Sequence, residues 1–222
     1  IKLTRQEKSF IKKEKPWGII LFSRNIRDLY QLRFLIDDIK KSIKDKNFPI
    51  LIDEEGGKVS RFNKIFNLSA FSQSFFTKIY KKDKNFHNFY KFYIDTICNI
   101  FNFVGININT VPVLDVMRLK SHSIIGSRSF SSDADLVSKI GKICIDLHKV
   151  NKIFTIVKHI PGHGLSRDDS HKKLPIVSAS KSELIKKDFK PFKDSNSLFA
   201  MTAHVVFSKL FESSSIVSPK SK

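Results

Sequence analysis

The chain predicts an α/β fold built on a parallel sheet, and three observations carry that expectation. Five short apolar, largely β-branched runs (residues 18–22, 50–53, 106–113, 153–158 and 199–205) alternate with stretches of helical spacing. Such alternation calls for parallel strands, closed or wound by right-handed crossovers. The residues able to do chemistry gather just after those runs, where α/β folds place their sites. The 222 residues suffice for one sizeable core, and no internal repeat or low-complexity linker divides them.

The elements follow in order. After the 18–22 strand, Leu29 to Ile43 carries Leu32, Leu35, Ile36, Ile39 and Ile43 at helical spacing, with Asp28 as a cap. The strand over 50–53 leads to a helix from Asn85 to Phe103, rich in Phe and Tyr. At that spacing an aromatic stripe belongs to a core rather than to a ligand platform. Beyond the 106–113 strand, Ala134 to Val150 forms a helix with Asp133 near its start. The 153–158 strand is followed by a shorter helix from Ser180 to Phe192, where Ser180 and Glu183 have capping-box spacing. The 199–205 strand comes last.

Composition excludes little. Lys and Arg total 40 against 21 acids, a formal net charge of +19. Such a balance can mark a nucleic-acid binder, but the lysines are dispersed, as in Lys12-Lys13, Lys40-Lys41, Lys81-Lys82 and Lys186-Lys187. A solvated basic surface follows, with weak attraction to polyanions and no specific nucleic-acid partner. No apolar run is long enough to span a membrane and no signal segment is visible, so a cytoplasmic protein is expected. The first residue is Ile rather than Met, which leaves a lost leader open. Cys98 and Cys144 read as buried, reduced thiols.

The densest chemistry follows the apolar run Ile153-Phe154-Thr155-Ile156-Val157. Lys158-His159-Ile160-Pro161-Gly162-His163-Gly164 leads to Asp168-Asp169-Ser170-His171 and then Leu174-Pro175. Pro161-Gly162 prevents a helix, and Gly164 lets the backbone turn without steric cost. Asp169 and His171 are two apart, so in an extended segment they point the same way. A carboxylate beside an imidazole fixes its tautomer and raises its proton affinity, as general acid/base catalysis requires. His159 and His163 have the spacing of a helical metal pair, but without a helix no metal site is expected. A solvated polar loop without a role is the alternative.

The string Lys-His-Ile-Pro-Gly-His-Gly, a short spacer, then Asp-Ser-His and Leu-Pro resembles the signature loop of the bacterial β-N-acetylglucosaminidases of glycoside hydrolase family 3. Further segments resemble that family in the same order. They are Trp17 to Ile26, Pro49 to Phe62 (Asp-x-Glu-Gly-Gly-Lys-Val-x-Arg-Phe), Val111 to Val116, Ile125 to Phe130, and Met201 to Phe207. Lys58 departs from the family's usual Arg, keeping the charge but losing the bidentate fork.

The resemblance implies a (β/α)8 TIM-barrel fold, present in part. The five strands correspond to strands two to six, and residues 1–222 to an N-terminal catalytic barrel domain incomplete at both ends. It also implies a retaining β-N-acetylhexosaminidase of the peptidoglycan-recycling type, acting on N-acetylglucosamine-containing saccharides or muropeptides without a cofactor. By resemblance His171, oriented by Asp169, is the acid/base, while Asp53, Arg61, Arg128, Lys158 and His159 match sugar-binding positions. The nucleophilic aspartate is expected after a seventh strand, beyond residue 222, so these residues alone are not expected to complete the reaction.

Alternatives stay open. The chain could be a non-catalytic sugar-binding remnant, or another family 3 glycosidase such as a β-glucosidase; those generally take their acid from another domain. Asp53 could cap or pair internally, and Arg61 and Arg128 could be structural ion-pair partners. Glu55 reads as a structural partner holding the Gly56-Gly57 turn, and Lys58 as a structural contact. His204 could line the sugar pocket or only pack.

Overall fold

The computed structural model describes residues 2–118, 125–166 and 174–210. Seven strands are present among them: β1 (Ile19–Leu21), β2 (Ile50–Ile52), β3 (Ile108–Asn109), β4 (Phe154–Ile160), β5 (Ile176–Val177), β6 (Phe199–Thr202) and β7 (Val206–Phe207). The first four and β6 form one parallel sheet in the order β1-β2-β3-β4-β6, and β5 pairs with β7 separately. Every adjacent pair in the large sheet is parallel, so each connection must cross over outside it. The sheet curls strongly: Trp17, just before one edge strand, meets Phe199 of the other edge strand at 5.6 Å between ring centroids. This is the curl of a partial (β/α)8 barrel.

The helices are α1 (Arg5–Glu14), α2 (Leu29–Ile43), α3 (Gln73–Lys82), α4 (Phe86–Val104), α5 (Ala134–Val150), α6 (Lys181–Lys186) and α7 (Lys190–Asp194). Neighbours pack in the order α1, α2, α4, α5, α7, following the strands they connect. Asp28 caps α2 through Gln31 N–H, and Asp133 caps α5 through Asp135 and Leu136 N–H, as the sequence predicts. On α2 the buried face is Leu32, Leu35, Ile36 and Ile39, each contributing about 1.5–3 kcal/mol relative to exposure. On α4, Phe86, Tyr90, Ile94, Ile97, Cys98 and Phe101 are buried, and Tyr90 meets Phe76 of α3 at 4.5 Å. The aromatic stripe is core. Cys98 and Cys144 are buried free thiols.

Four details differ from the sequence reading. The helix expected over 180–192 is split into α6 and α7. Pro191 can occupy a first turn but not a helix interior, so the chain restarts at Lys190. Ser180 does cap α6 through Glu183 N–H, but the Glu183 carboxylate turns to Arg118 at 3.4 Å rather than closing a capping box. The 106–113 strand keeps regular pairing only at Ile108–Asn109, with one isolated bridge from Val113 to Lys158. Helices α1 and α3 were not anticipated, although Thr4 and Glu7 close a capping box at the start of α1 and Ser72 caps α3 through Phe75 N–H.

Candidate active site

The carboxyl ends of β2, β3 and β4 bring the candidate residues together. Asp53 follows β2, Thr110 and Asp115 follow β3, and Lys158 and His159 lie in β4. The register between β4 and β6 shifts between Lys158 and Ile160, leaving His159 in a bulge. A bulge re-aims side chains that simple alternation would send to opposite faces. Lys158 accordingly reaches the β2 loop while His159 reaches the segment after β3.

Lys158 is the hub. Its side chain is only 2% exposed, and Nζ lies 3.2 Å from Asp53 Oδ1, 2.5 Å from Glu55 Oε1 and 2.8 Å from Thr110 Oγ1. Those contacts use all three ammonium donors, so a sugar oxygen would have to displace one of them. Asp53 also accepts from Arg61 Nη2 at 2.7 Å and from the Thr110 hydroxyl. Burial would raise the Asp53 carboxyl, but Lys158, Thr110 and Arg61 outweigh it and hold the group well below the usual carboxylate range. Glu55 shows the same contest: burial raises it, while Lys158 and Arg128 lower it further.

Arg128 grips Glu55 bidentately, with Nε to Oε2 at 2.8 Å and Nη2 to Oε1 at 2.9 Å. Arg61 stacks over the Phe22 ring at 5.2 Å while holding Asp53, and its side chain remains 24% exposed. Both arginines therefore make the structural ion pairs weighed as alternatives, and Asp53 pairs internally too. Such pairing also pre-positions a polar wall, so the two readings are compatible. Glu55 does not hold the turn through its side chain; that carboxylate faces the cations, and only its backbone N–H closes on Val59 O at 2.9 Å. The turn is held by Glu54, which takes Ser60 Oγ, Arg61 N and Phe62 N. Lys58 is exposed rather than packed, and His204 is exposed as well.

His159 Nδ1 lies 2.6 Å from Asp115 Oδ2, so its Nε2 is the nitrogen left for other partners. Asp115 is fully buried and also accepts from the His163 N–H at 2.6 Å. Burial raises this carboxyl, and His159 with the His163 amide reverses that and holds it low. The sequence reading assigned no role to Asp115, Thr110 or Glu54. A signal existed for Asp115: it is an acid ending an apolar strand, which burial alone would not tolerate. Asp168, Asp169 and His171 lie outside the described residues. Among the described residues, no three His, Cys, Asp or Glu side chains gather as a metal would require.

The loop that leads towards Asp169 and His171 is set down tightly. Ideal Cβ atoms would fall 2.9 Å from Asp188 Cβ at Gly162, and 1.9 Å from the Val116 carbonyl oxygen at Gly164. Asp188 is buried beneath it and ion-paired with Arg118. Gly164→Ala is therefore expected to displace the loop and cost about 1–3 kcal/mol, as overpacking does. Thermal melts measure this, and a variant with the parent's melting temperature and activity would show that the loop does not rest on Val116.

Comparison with known proteins supports the family and the partial-barrel fold. Residues 1–221 match the family model described as the glycosyl hydrolase family 3 N terminal domain. A beta-hexosaminidase of Actinobacillus succinogenes is 31% identical over 209 residues, covering 92% of this chain and 59% of that protein. The crystal structure of native NagZ from Neisseria gonorrhoeae superposes with a TM-score of 0.85 at 29% identity, over 95% of this chain and 62% of that one. The same NagZ in complex with N-trifluoroacetyl-D-glucosamine gives 0.83 at 27% identity, over 94% and 62% of the two chains. The chain thus spans about three fifths of the length of these relatives. On the match across residues 1–221, this chain belongs to glycosyl hydrolase family 3, in the region of its N-terminal domain.

Proposed function

We propose that the protein is a retaining β-N-acetylhexosaminidase that releases terminal β-linked N-acetylglucosamine from peptidoglycan fragments such as muropeptides, in the cytoplasm. The observation that carries this reading is the convergence of Asp53, Arg61, Arg128, Lys158 and His159 at the carboxyl ends of neighbouring strands. The glucosamine derivative bound by the NagZ relative gives the sugar class. The buried free thiols fit a reducing compartment.

In this reading the Asp53 carboxylate accepts hydrogen bonds from sugar hydroxyls, and Arg61, Arg128 and His159 donate to the sugar's hydroxyl and carbonyl oxygens. Lys158 neutralises Asp53 and Glu55, so the acids remain ionised acceptors beside the ligand. A carboxylate outside these residues attacks the anomeric carbon while His171, oriented by Asp169, protonates the departing glycosidic oxygen. Water, deprotonated by the same imidazole, then attacks the anomeric carbon and releases the enzyme carboxylate. No step calls for a metal.

The test uses the full-length protein with matched aryl β-N-acetylglucosaminide and aryl β-glucoside substrates, following product configuration by NMR. Release of β-N-acetylglucosamine with retained configuration and little glucoside cleavage is the expected result. Preferential glucoside cleavage would make it a β-glucosidase. Binding of N-acetylglucosamine without turnover of either substrate would leave a sugar-binding remnant.

A further inference from the structure

Glu54 takes no part in the chemistry above, yet it is among the most constrained side chains near the site. Its neighbours Asp53 and Glu55 both reach Lys158, while Glu54 turns the other way. Oε2 accepts from Ser60 Oγ at 2.9 Å, Arg61 N at 2.8 Å and Phe62 N at 3.3 Å. Its own backbone is clamped by Asn109 of β3, whose Oδ1 accepts from Glu54 N and whose Nδ2 donates to Glu54 O, both at 3.0 Å. Asn109 is fixed in turn by buried His148 of α5, whose Nε2 lies 3.3 Å from Asn109 Nδ2. His148 Nδ1 lies 2.9 Å from the Cys144 carbonyl, so Nδ1 carries the proton and Nε2 accepts. A continuous polar chain therefore runs from α5 through Asn109 and Glu54 to the backbone of Arg61, whose guanidinium holds Asp53.

Resting on the sugar-binding reading above, we propose that Glu54 is a positioning residue for substrate binding: its carboxyl fixes residues 60–62 and thereby sets the Arg61 guanidinium against Asp53. The three bonds all converge on one oxygen, and losing that oxygen frees the three donors at once. The other oxygen, Oε1, is buried without a hydrogen-bond partner among the described residues, and Glu54 helps line a cavity of about 20 Å³ shared with Tyr93, Cys144 and His148. The titratable groups around Glu54 are Glu55 beside it, Tyr90 and Tyr93 from α4, and Cys144 and His148 from α5. Burial pushes the Glu54 carboxyl up to about 7, against the three hydrogen bonds that favour its charged form. The charged form binds those donors more strongly, so Arg61 is held best above neutrality.

The experiment compares Glu54→Gln, Glu54→Ala, Arg61→Ala and the Glu54→Ala/Arg61→Ala double variant in the full-length protein on an aryl β-N-acetylglucosaminide. Glu54→Ala should raise KM about tenfold with kcat changed much less, the size of one weakened polar contact. Glu54→Gln keeps an acceptor oxygen in place and should stay within about twofold of the parent at pH 6. Its KM relative to the parent should climb towards pH 8, because it cannot ionise. In the Arg61→Ala background, Glu54→Ala should add almost nothing, since it acts through Arg61. Equal KM increases with and without Arg61, or an unchanged KM, would overturn the proposal. Should Glu54→Ala not fold, the pH-dependent ratio of Glu54→Gln to parent decides, and a flat ratio overturns it. A parent that neither binds nor turns over N-acetylglucosaminides sinks the functional reading itself; a failure confined to the variants sinks only the role of Glu54.

Discussion

With His171 as the proposed acid/base, His171→Ala in the full-length protein should slow hydrolysis of a natural N-acetylglucosamine disaccharide by about 10²–10⁴-fold, the usual contribution of such a group. The loss should depend on the leaving group. An activated phenol departs without protonation, so its glycosylation step should largely survive while water attack stays slow. The covalent glycosyl-enzyme should then accumulate, visible as a burst of phenol and as added mass on the protein. Asp169→Asn should act in the same direction by removing the charge that supports the imidazolium. His159 offers a direct rival, because Asp115 holds its Nδ1 at 2.6 Å and a carboxylate-oriented imidazole could also donate a proton. His159→Ala is the control: it should weaken sugar binding without dependence on the leaving group. If His159→Ala gives the burst and His171→Ala turns over the natural disaccharide normally, the two roles are exchanged.

Much of the fold was legible because α/β proteins repeat one local pattern. The boundaries of α2 and α5 follow from Asp28 and Asp133, acids that cap the next turn and are followed at once by apolar periodicity. The ends of α4 follow from its buried stripe and from Gly105, which takes a left-handed conformation just after it. What sequence could not supply was pairing between distant loops. Lys158 stands about a hundred residues beyond Asp53 and Glu55 in the chain, and nothing local says that the ammonium will sit between both acids. The division of labour between Glu54 and Glu55 was equally hidden. Adjacent acids in a loop look interchangeable until the backbone shows one facing the cations and the other facing Ser60 and Phe62. The split between α6 and α7 is readable from Pro191, which disfavours helix in the residue before it and interrupts the apolar spacing.

Lys158→Met should be the most destabilising substitution at the site. Methionine replaces the aliphatic stem at similar volume, so the change chiefly deletes the charge. Asp53 and Glu55 would remain, 14% and 1% exposed, with their shared cation gone. Breaking a buried pair by removing one partner costs about 3–5 kcal/mol, because the remaining charge stays desolvated. For a domain of this size the melting temperature should fall on the order of 10 °C. The effect should depend on pH, and its sign follows from the two acids. In the parent both are held below their ordinary values, so their contribution to stability is present above the unfolded carboxylate range, near pH 4, and fades as pH falls through their lowered values. Without Lys158 both acids lose a cation that lowers them, so both rise and are protonated more readily as the pH falls. The gap between parent and variant should therefore be widest near pH 7 and narrow below about pH 4. Arg128→Met supplies the comparison, since it removes one partner of Glu55 while Lys158 still bridges both acids, and its loss should be smaller. Denaturant titrations of the three proteins at both pH values measure all of this. A Lys158→Met loss that is the same at pH 7 and at about pH 3, where carboxylates protonate, would mean that the loss does not come from leaving the two acids without their cation, and that the ion-pair hub does not hold the site together.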